Sequence, residues 1–109
     1  MHELAIAESV VDAVVDRLGA TRIGKVVLEI GRLSGVVPDS LLFCFGLVTD
    51  GTSLQGAVLE IVELPGRAEC RSCGAEVELY DLLGLCECGS LDLRVLAGNE
   101  LRIREVDHV

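Results

Sequence analysis

The sequence predicts an α+β fold, a small sheet of about three strands with two helices, interrupted by an insert that carries four cysteines. Three observations predict it. Two segments space their apolar residues as helices do. Three segments alternate apolar and polar residues as strands do. Four of the five cysteines fall together between residues 70 and 88. A chain of 109 residues is one domain by length, with room for a small satellite. Half of its residues are hydrophobic, but it has only two Phe, one Tyr and no Trp, so its core must be built from Val, Leu, Ile and Ala.

Residues 3–18 read as an amphipathic helix. Leu4, Ala7, Val11, Val14, Val15 and Leu18 share one face, and Glu8, Asp12, Asp16 and Arg17 take the other. Gly19 is a natural stop. Residues 25–33 read as a strand, with Val26, Leu28 and Ile30 on one face and Lys25 and Glu29 on the other. Residues 33–37 connect it to a second helix that Pro38 opens, because proline is tolerated in a first turn. Leu41, Leu42, Phe45 and Val48 supply its buried stripe, and Thr49-Asp50-Gly51 ends it. Residues 57–63 form a second strand, which Pro65-Gly66 breaks. The stretch 67–92 holds the clustered cysteines and a single β-branched residue, Val77. Residues 93–97 start another strand, Gly98-Asn99 makes a turn or bulge, and residues 100–105 alternate as a last strand with Leu101 and Ile103 inward.

The net charge of −9 and the scattering of nine basic residues argue against nucleic acid as a partner. No apolar run is long enough for a membrane span, and no basic head and apolar middle mark a secretion signal. The chain is therefore expected to be soluble and cytoplasmic, with no membrane partner.

Cys70-Arg-Ser-Cys73-Gly74 has the form of a metal knuckle. Two cysteines three apart at a tight turn aim both sulfurs at one ion, and Gly74 permits the positive backbone angle that turns amides toward them. The other half, Cys86-Glu-Cys88-Gly89, has one spacer residue instead of two, and twelve residues separate Cys73 from Cys86. Paired spacing without a secretion signal favours metal over disulfides. Four soft thiolates suit zinc or a single iron, and zinc is favoured as a structural ion. Such an ion contributes about 10–16 kcal/mol in small peptides, more than so short an insert gains by burial. A redox dithiol would normally open a helix, and here Gly74 follows instead. Cys44 stands apart on the second helix and is expected to pack in the core.

His2 offers a second kind of site. The amine of Met1, the backbone nitrogen of His2 and its imidazole can close a five- and a six-membered chelate ring, which suits Ni(II) or Cu(II). Glu3 adds a carboxylate at the same helix start, where an acid also complements the helix dipole.

Taken together, these segments resemble the HypA/HybF family of hydrogenase nickel-insertion proteins. The resemblance covers nearly the whole chain. Its motifs are Met1-His2-Glu3-Leu4, Glu29-Ile30-Gly31-Arg32-Leu33-Ser34, Pro38-Asp39-Ser40-Leu41 with Phe43 and Phe45, the two cysteine pairs, and Gly98-Asn99-Glu100-Leu101. It implies a nickel metallochaperone rather than an enzyme. Nickel would be transferred cargo, held at Met1 and His2 with Glu3 as ligand or neighbour and Asp39 close by. Structural zinc would be held by Cys70, Cys73, Cys86 and Cys88. Residues 1–64 and 93–109 would form the nickel-binding domain and residues 65–92 the zinc-binding insert. The implied partners are a nickel-handling GTPase and the large subunit of [NiFe]-hydrogenase, and in some organisms urease is also supplied. The chain would act as a monomer or homodimer. The one departure from the family pattern is Cys86-Glu-Cys88, where many relatives have two spacer residues.

Three other functions fit parts of the sequence. A zinc-ribbon adaptor would use the cysteines to bind another protein. A rubredoxin-like carrier would put iron on them. An enzyme would need a nucleophile–base pair or a phosphate loop, and the sequence offers neither. The second histidine, His108, lies at the C-terminal end and is expected to be disordered.

Overall fold

A computed structural model describes every residue except Met1, Leu82 and Leu83. Its elements run α1 (Glu3–Leu18), β1 (Ile23–Gly31), α2 (Pro38–Val48), β2 (Val58–Leu64), β3 (Gly66–Cys70), β4 (Glu76–Leu79), β5 (Leu93–Ala97) and β6 (Leu101–His108). They form two three-stranded sheets, ordered β2-β1-β6 and β4-β3-β5. The chain divides into two compact units. One comprises Met1–Leu28, Val36–Val62 and Arg102–Val109, and the other Glu29–Gly35 and Glu63–Leu101.

In the first unit, α1 buries Ala7, Val10, Val11 and Val14 at helical spacing. Leu4, Val15 and Leu18, expected on that stripe, are 38–48% exposed. The buried face instead runs through Val10, because a 3.6-residue repeat pairs Val10 with Val14 and with Ala7. Gly19 ends the helix at φ 59, a left-handed conformation that favours glycine, and its N–H donates to the Val15 carbonyl at 2.8 Å. In α2, Pro38 takes the first turn and Leu41 and Phe45 are buried. The Thr49 hydroxyl donates to the Phe45 carbonyl at 2.9 Å and closes the last turn. Leu42 and Phe43 face outward, and Cys44 is half-buried rather than enclosed.

β1 is the central strand of its sheet, with both edges paired, and Ile23, Val26, Val27, Leu28 and Ile30 are all buried. It begins and ends two residues earlier than the alternation alone predicts. Lys25 reaches Glu60 at 3.9 Å and Asp107 at 3.6 Å from a half-exposed position, where such pairs contribute little. The edge strand β6 leaves Leu101 43% exposed and Ile103 half-buried, so the expected inward pair is only partly enclosed. His108 is the last residue of β6 rather than part of a disordered tail.

The second unit packs Leu33, Ala68 and Leu79 with Val77 and Leu93. Its sheet was only partly legible: β3 and β4 lie in the cysteine insert, to which the sequence reading assigned no strand, and β5 pairs with β3. β3 runs antiparallel to both neighbours, with Ala68 opposite Val77 on one side and Val95 on the other. Glycines set the close approaches. A Cβ on Gly31 would overlap the Gly98 carbonyl, and one on Gly98 would stand 2.7 Å from the Gly66 Cα. The N–H of Leu33 donates to the Gly98 carbonyl and that of Gly31 to the Glu100 carbonyl, each at 2.8 Å. Among the described residues, no helix is long and apolar enough to cross a membrane.

Candidate metal centre

The two cysteine turns are built alike, one residue apart in length. In the first, the Cys70 N–H donates to the Ala75 carbonyl and the Gly74 N–H returns to the Cys70 carbonyl, both at 2.8 Å. In the second, the Cys86 N–H donates to the Ser90 carbonyl at 3.1 Å and the Gly89 N–H returns to the Cys86 carbonyl at 2.8 Å. Gly74 and Gly89 sit at φ 79 and φ 90, which side chains other than glycine rarely adopt. The missing spacer in Cys86-Glu-Cys88 is thus absorbed by a tighter turn, a three-residue return where the first turn uses four. The Ser72 and Ser90 hydroxyls meet at 2.9 Å and tie the turns together. No sequence signal pointed to that pair.

The four sulfurs converge within 4.8 Å of one another. Cys70 and Cys88 are 3.6 Å apart, and Cys73 and Cys86 3.5 Å. A tetrahedral ion with metal–sulfur bonds of about 2.3 Å requires sulfurs about 3.8 Å apart, so the cluster already has the size of a thiolate cage. Cys70 and Cys86 are buried, and Cys73 and Cys88 form the exposed side.

The electrostatics agree. Backbone N–H groups, first that of Cys73 and then that of Ser72, stabilise the Cys70 thiolate and lower its pKa to about 6 against the pull of burial. The Ala75 N–H lowers Cys73 in the same way, but the Cys86 and Cys70 sulfurs and burial outweigh it and push Cys73 up to about 12. Cys88 follows the same pattern: the Ser90 N–H lowers it, and Cys86, Cys70 and burial raise it. Backbone N–H groups prepare the Cys70 thiolate, and Cys73 and Cys88 resist ionising beside it. A bound divalent cation removes that conflict by neutralising the accumulated charge.

The N-terminal candidates lie in the first unit. His2 is exposed at the start of α1, its carbonyl accepts the Ile6 N–H at 3.1 Å, and its side chain makes no capping bond. Met1 lies outside the described residues. Glu3 is buried, at 9% exposure. Its Oε2 accepts the Val37 N–H at 3.2 Å, and its Oε1 accepts the Ser40 hydroxyl at 3.5 Å. The Val37 N–H holds this carboxyl below its ordinary pKa, and burial opposes it. Glu3 therefore fastens the first turn of α1 to the first turn of α2, where Asp39 is exposed. Sequence reasoning saw the acid but not this tie, because its partners lie 34 and 37 residues away.

The tie predicts a graded response. Glu3→Ala is expected to speed hydrogen exchange at the Val37 amide and lower the melting temperature. Glu3→Gln keeps an acceptor oxygen and is expected to retain most of the protection. Amide exchange on both variants measures the difference, and equal exchange in both would contradict the role given to Glu3.

A protein-family model described as hydrogenase/urease nickel incorporation, metallochaperone, hypA matches residues 1–108. The chain belongs to the HypA family. Curated relatives named hydrogenase maturation factor HypA are similar over nearly the full length. That of Nostoc sp. is 48% identical over 107 residues, covering 98% of this chain and 95% of the relative. That of Geobacter metallireducens is 46% identical over 108 residues, covering 98% of each. A solution structure of a HypA protein superposes with a TM-score of 0.67 at 25% identity, covering 100% of this chain and 97% of that one. The solution structure of the Ni metallochaperone HypA from Helicobacter pylori, at 23% identity and a TM-score of 0.65, shares the fold over 100% of this chain and 98% of that one. Within this HypA fold, two of the family-like segments meet in one place. Gly31 and Leu33 of the first are hydrogen-bonded to Glu100 and Gly98 of the second.

Proposed function

We propose that this HypA-family protein carries Ni(II) at its N-terminus and delivers it for assembly of [NiFe]-hydrogenase, with urease as a further recipient. The amine of Met1 and the backbone nitrogen and imidazole of His2 form the nickel chelate. Glu3 and Asp39 flank it, Glu3 chiefly as the group that holds the α2 start in place. Residues 1–64 and 93–109 form the nickel-binding domain. Residues 65–92 form the zinc-binding insert, in which Cys70, Cys73, Cys86 and Cys88 hold Zn(II). The observation that carries the reading is the contrast between the two candidate sites. The thiolate cage is closed by four sulfurs, as a permanent structural site is. His2 stands exposed, with no capping bond to hold its side chain. An exposed chelate can hand its ion to a recipient, and a closed cage cannot do so without unfolding.

The transfer follows from ligand chemistry. Imidazole, amine and amide nitrogens all compete for protons as well as for nickel, so an acceptor site that protonates or displaces any one of them loosens the ion. The proposed acceptors are a nickel-handling GTPase and the immature hydrogenase large subunit, and the protein works in the cytoplasm as a monomer or homodimer. Deleting the gene is expected to lower hydrogenase activity sharply under nickel limitation, with partial recovery when the medium holds excess nickel. Unchanged hydrogenase activity in the nickel-limited deletion strain would overturn the proposal.

A further inference from the structure

The exposed face of α2 is apolar, and no described residue of its own unit covers it. Phe43 is 70% exposed, Leu47 58% and Leu42 43%. Phe43 and Leu47 are one helical turn apart and stand over one another. Between their turns lies Gly46, also exposed, with nothing within 4 Å of where a Cβ would stand. Glycine is unfavourable in a helix interior relative to alanine, and here no packing inside the protein requires it. What a missing side chain on an outer face permits is close approach of another backbone.

Charge defines the ends of this stripe. Asp39 lies one turn before Phe43, and Asp50 lies in the turn that follows α2, three residues after Leu47. No Lys, Arg or His occurs from Leu33 to Gly66. We propose that the Leu42–Phe43–Gly46–Leu47 face docks a helix of another protein, apolar along its middle and bearing a Lys or Arg at each end. The glycine notch sets the close helix–helix approach, Phe43 and Leu47 supply the buried anchors, and Asp39 and Asp50 fix register and exclude other partners. A second copy of this chain does not satisfy the pattern. Its two helices carry one basic residue between them, Arg17, and two α2 faces brought together would set aspartates against aspartates. An anionic membrane surface is repelled by the same aspartates.

Apart from Asp39, which also flanks the proposed nickel chelate, this surface uses none of the residues assigned to metal, and its test needs no metal readout. Benzoylphenylalanine is placed at position 43 or 47 in cells assembling hydrogenase, with position 9 on the exposed face of α1 as control. After irradiation the cross-linked peptide is sequenced, and its protein is purified for affinity measurement. The expected product from positions 43 and 47, absent from position 9, is a helical peptide with apolar residues at helical spacing between two cations. Phe43→Ser is expected to weaken its affinity at least about tenfold. Gly46→Ala, which leaves the helix intact, is expected to weaken it severalfold. Asp50→Lys is expected to weaken it and to be rescued by reversing one cation of the partner helix. Cross-links to a second copy, to lipid or equally from position 9 would overturn the proposal. So would affinities unchanged by all three substitutions in proteins with wild-type melting curves.

Discussion

Cys70→Ala protein is expected to be purified without zinc, with β3 and β4 of the insert unfolded and α1 and α2 largely retained. Cys70 is fully buried, and backbone N–H groups bring its thiol pKa down to about 6. Removing it takes away a quarter of the cage and leaves the crowded sulfurs of Cys73, Cys86 and Cys88 without their best ionised neighbour. Structural zinc contributes about 10–16 kcal/mol in zinc-finger peptides, as much as the stability of a typical whole domain. The apolar cluster of Leu33, Ala68 and Leu79 is too small to replace it. Wild-type protein is expected to hold about one zinc per chain. Acidification is expected to release it, because protons and metal compete for the same thiolates. Metal analysis and amide exchange on the four single alanine variants measure both effects. Full zinc content in all four would refute the four-thiolate assignment.

Much of the architecture was legible because it rests on local signals. The span of α1 from Glu3 to Leu18 is written in apolar spacing and in Gly19, and the start of α2 is written in Pro38. The four cysteines were found by spacing alone, and the fold does bring their sulfurs together. The second sheet was only partly legible. β3 reads Gly-Arg-Ala-Glu-Cys and β4 reads Glu-Val-Glu-Leu, with little β-branched content and charged residues on the open face. Cross-strand pairs hold those strands, with Arg67 on Glu76 and Arg94 on Glu69 at 3.4 Å, and the cysteine turns close their ends. Such partners are defined only once the chain has folded. Leu42 was expected in the buried stripe and is exposed, because periodicity in a helix as apolar as α2 does not say which side faces the core. The role of Glu3 was hidden for the same reason of distance.

The second large effect is expected at His2. His2→Ala should abolish tight nickel binding and leave zinc and the fold unchanged, since an exposed side chain ahead of α1 contributes no core packing and caps nothing. An N-terminal extension should do nearly the same, because it converts the Met1 amine into an amide that no longer closes the five-membered ring. A C-terminal extension free of histidine should have no effect. Affinity in the unmodified protein should fall as pH drops, because protons compete with nickel for every nitrogen of the chelate.

The most direct measurement is calorimetric nickel titration of three zinc-loaded proteins: the unmodified chain, the N-terminally extended chain and His2→Ala. The predicted result is one tight site in the first and none in the other two. Equal nickel affinity in all three would place the ion elsewhere and contradict delivery from the N-terminus.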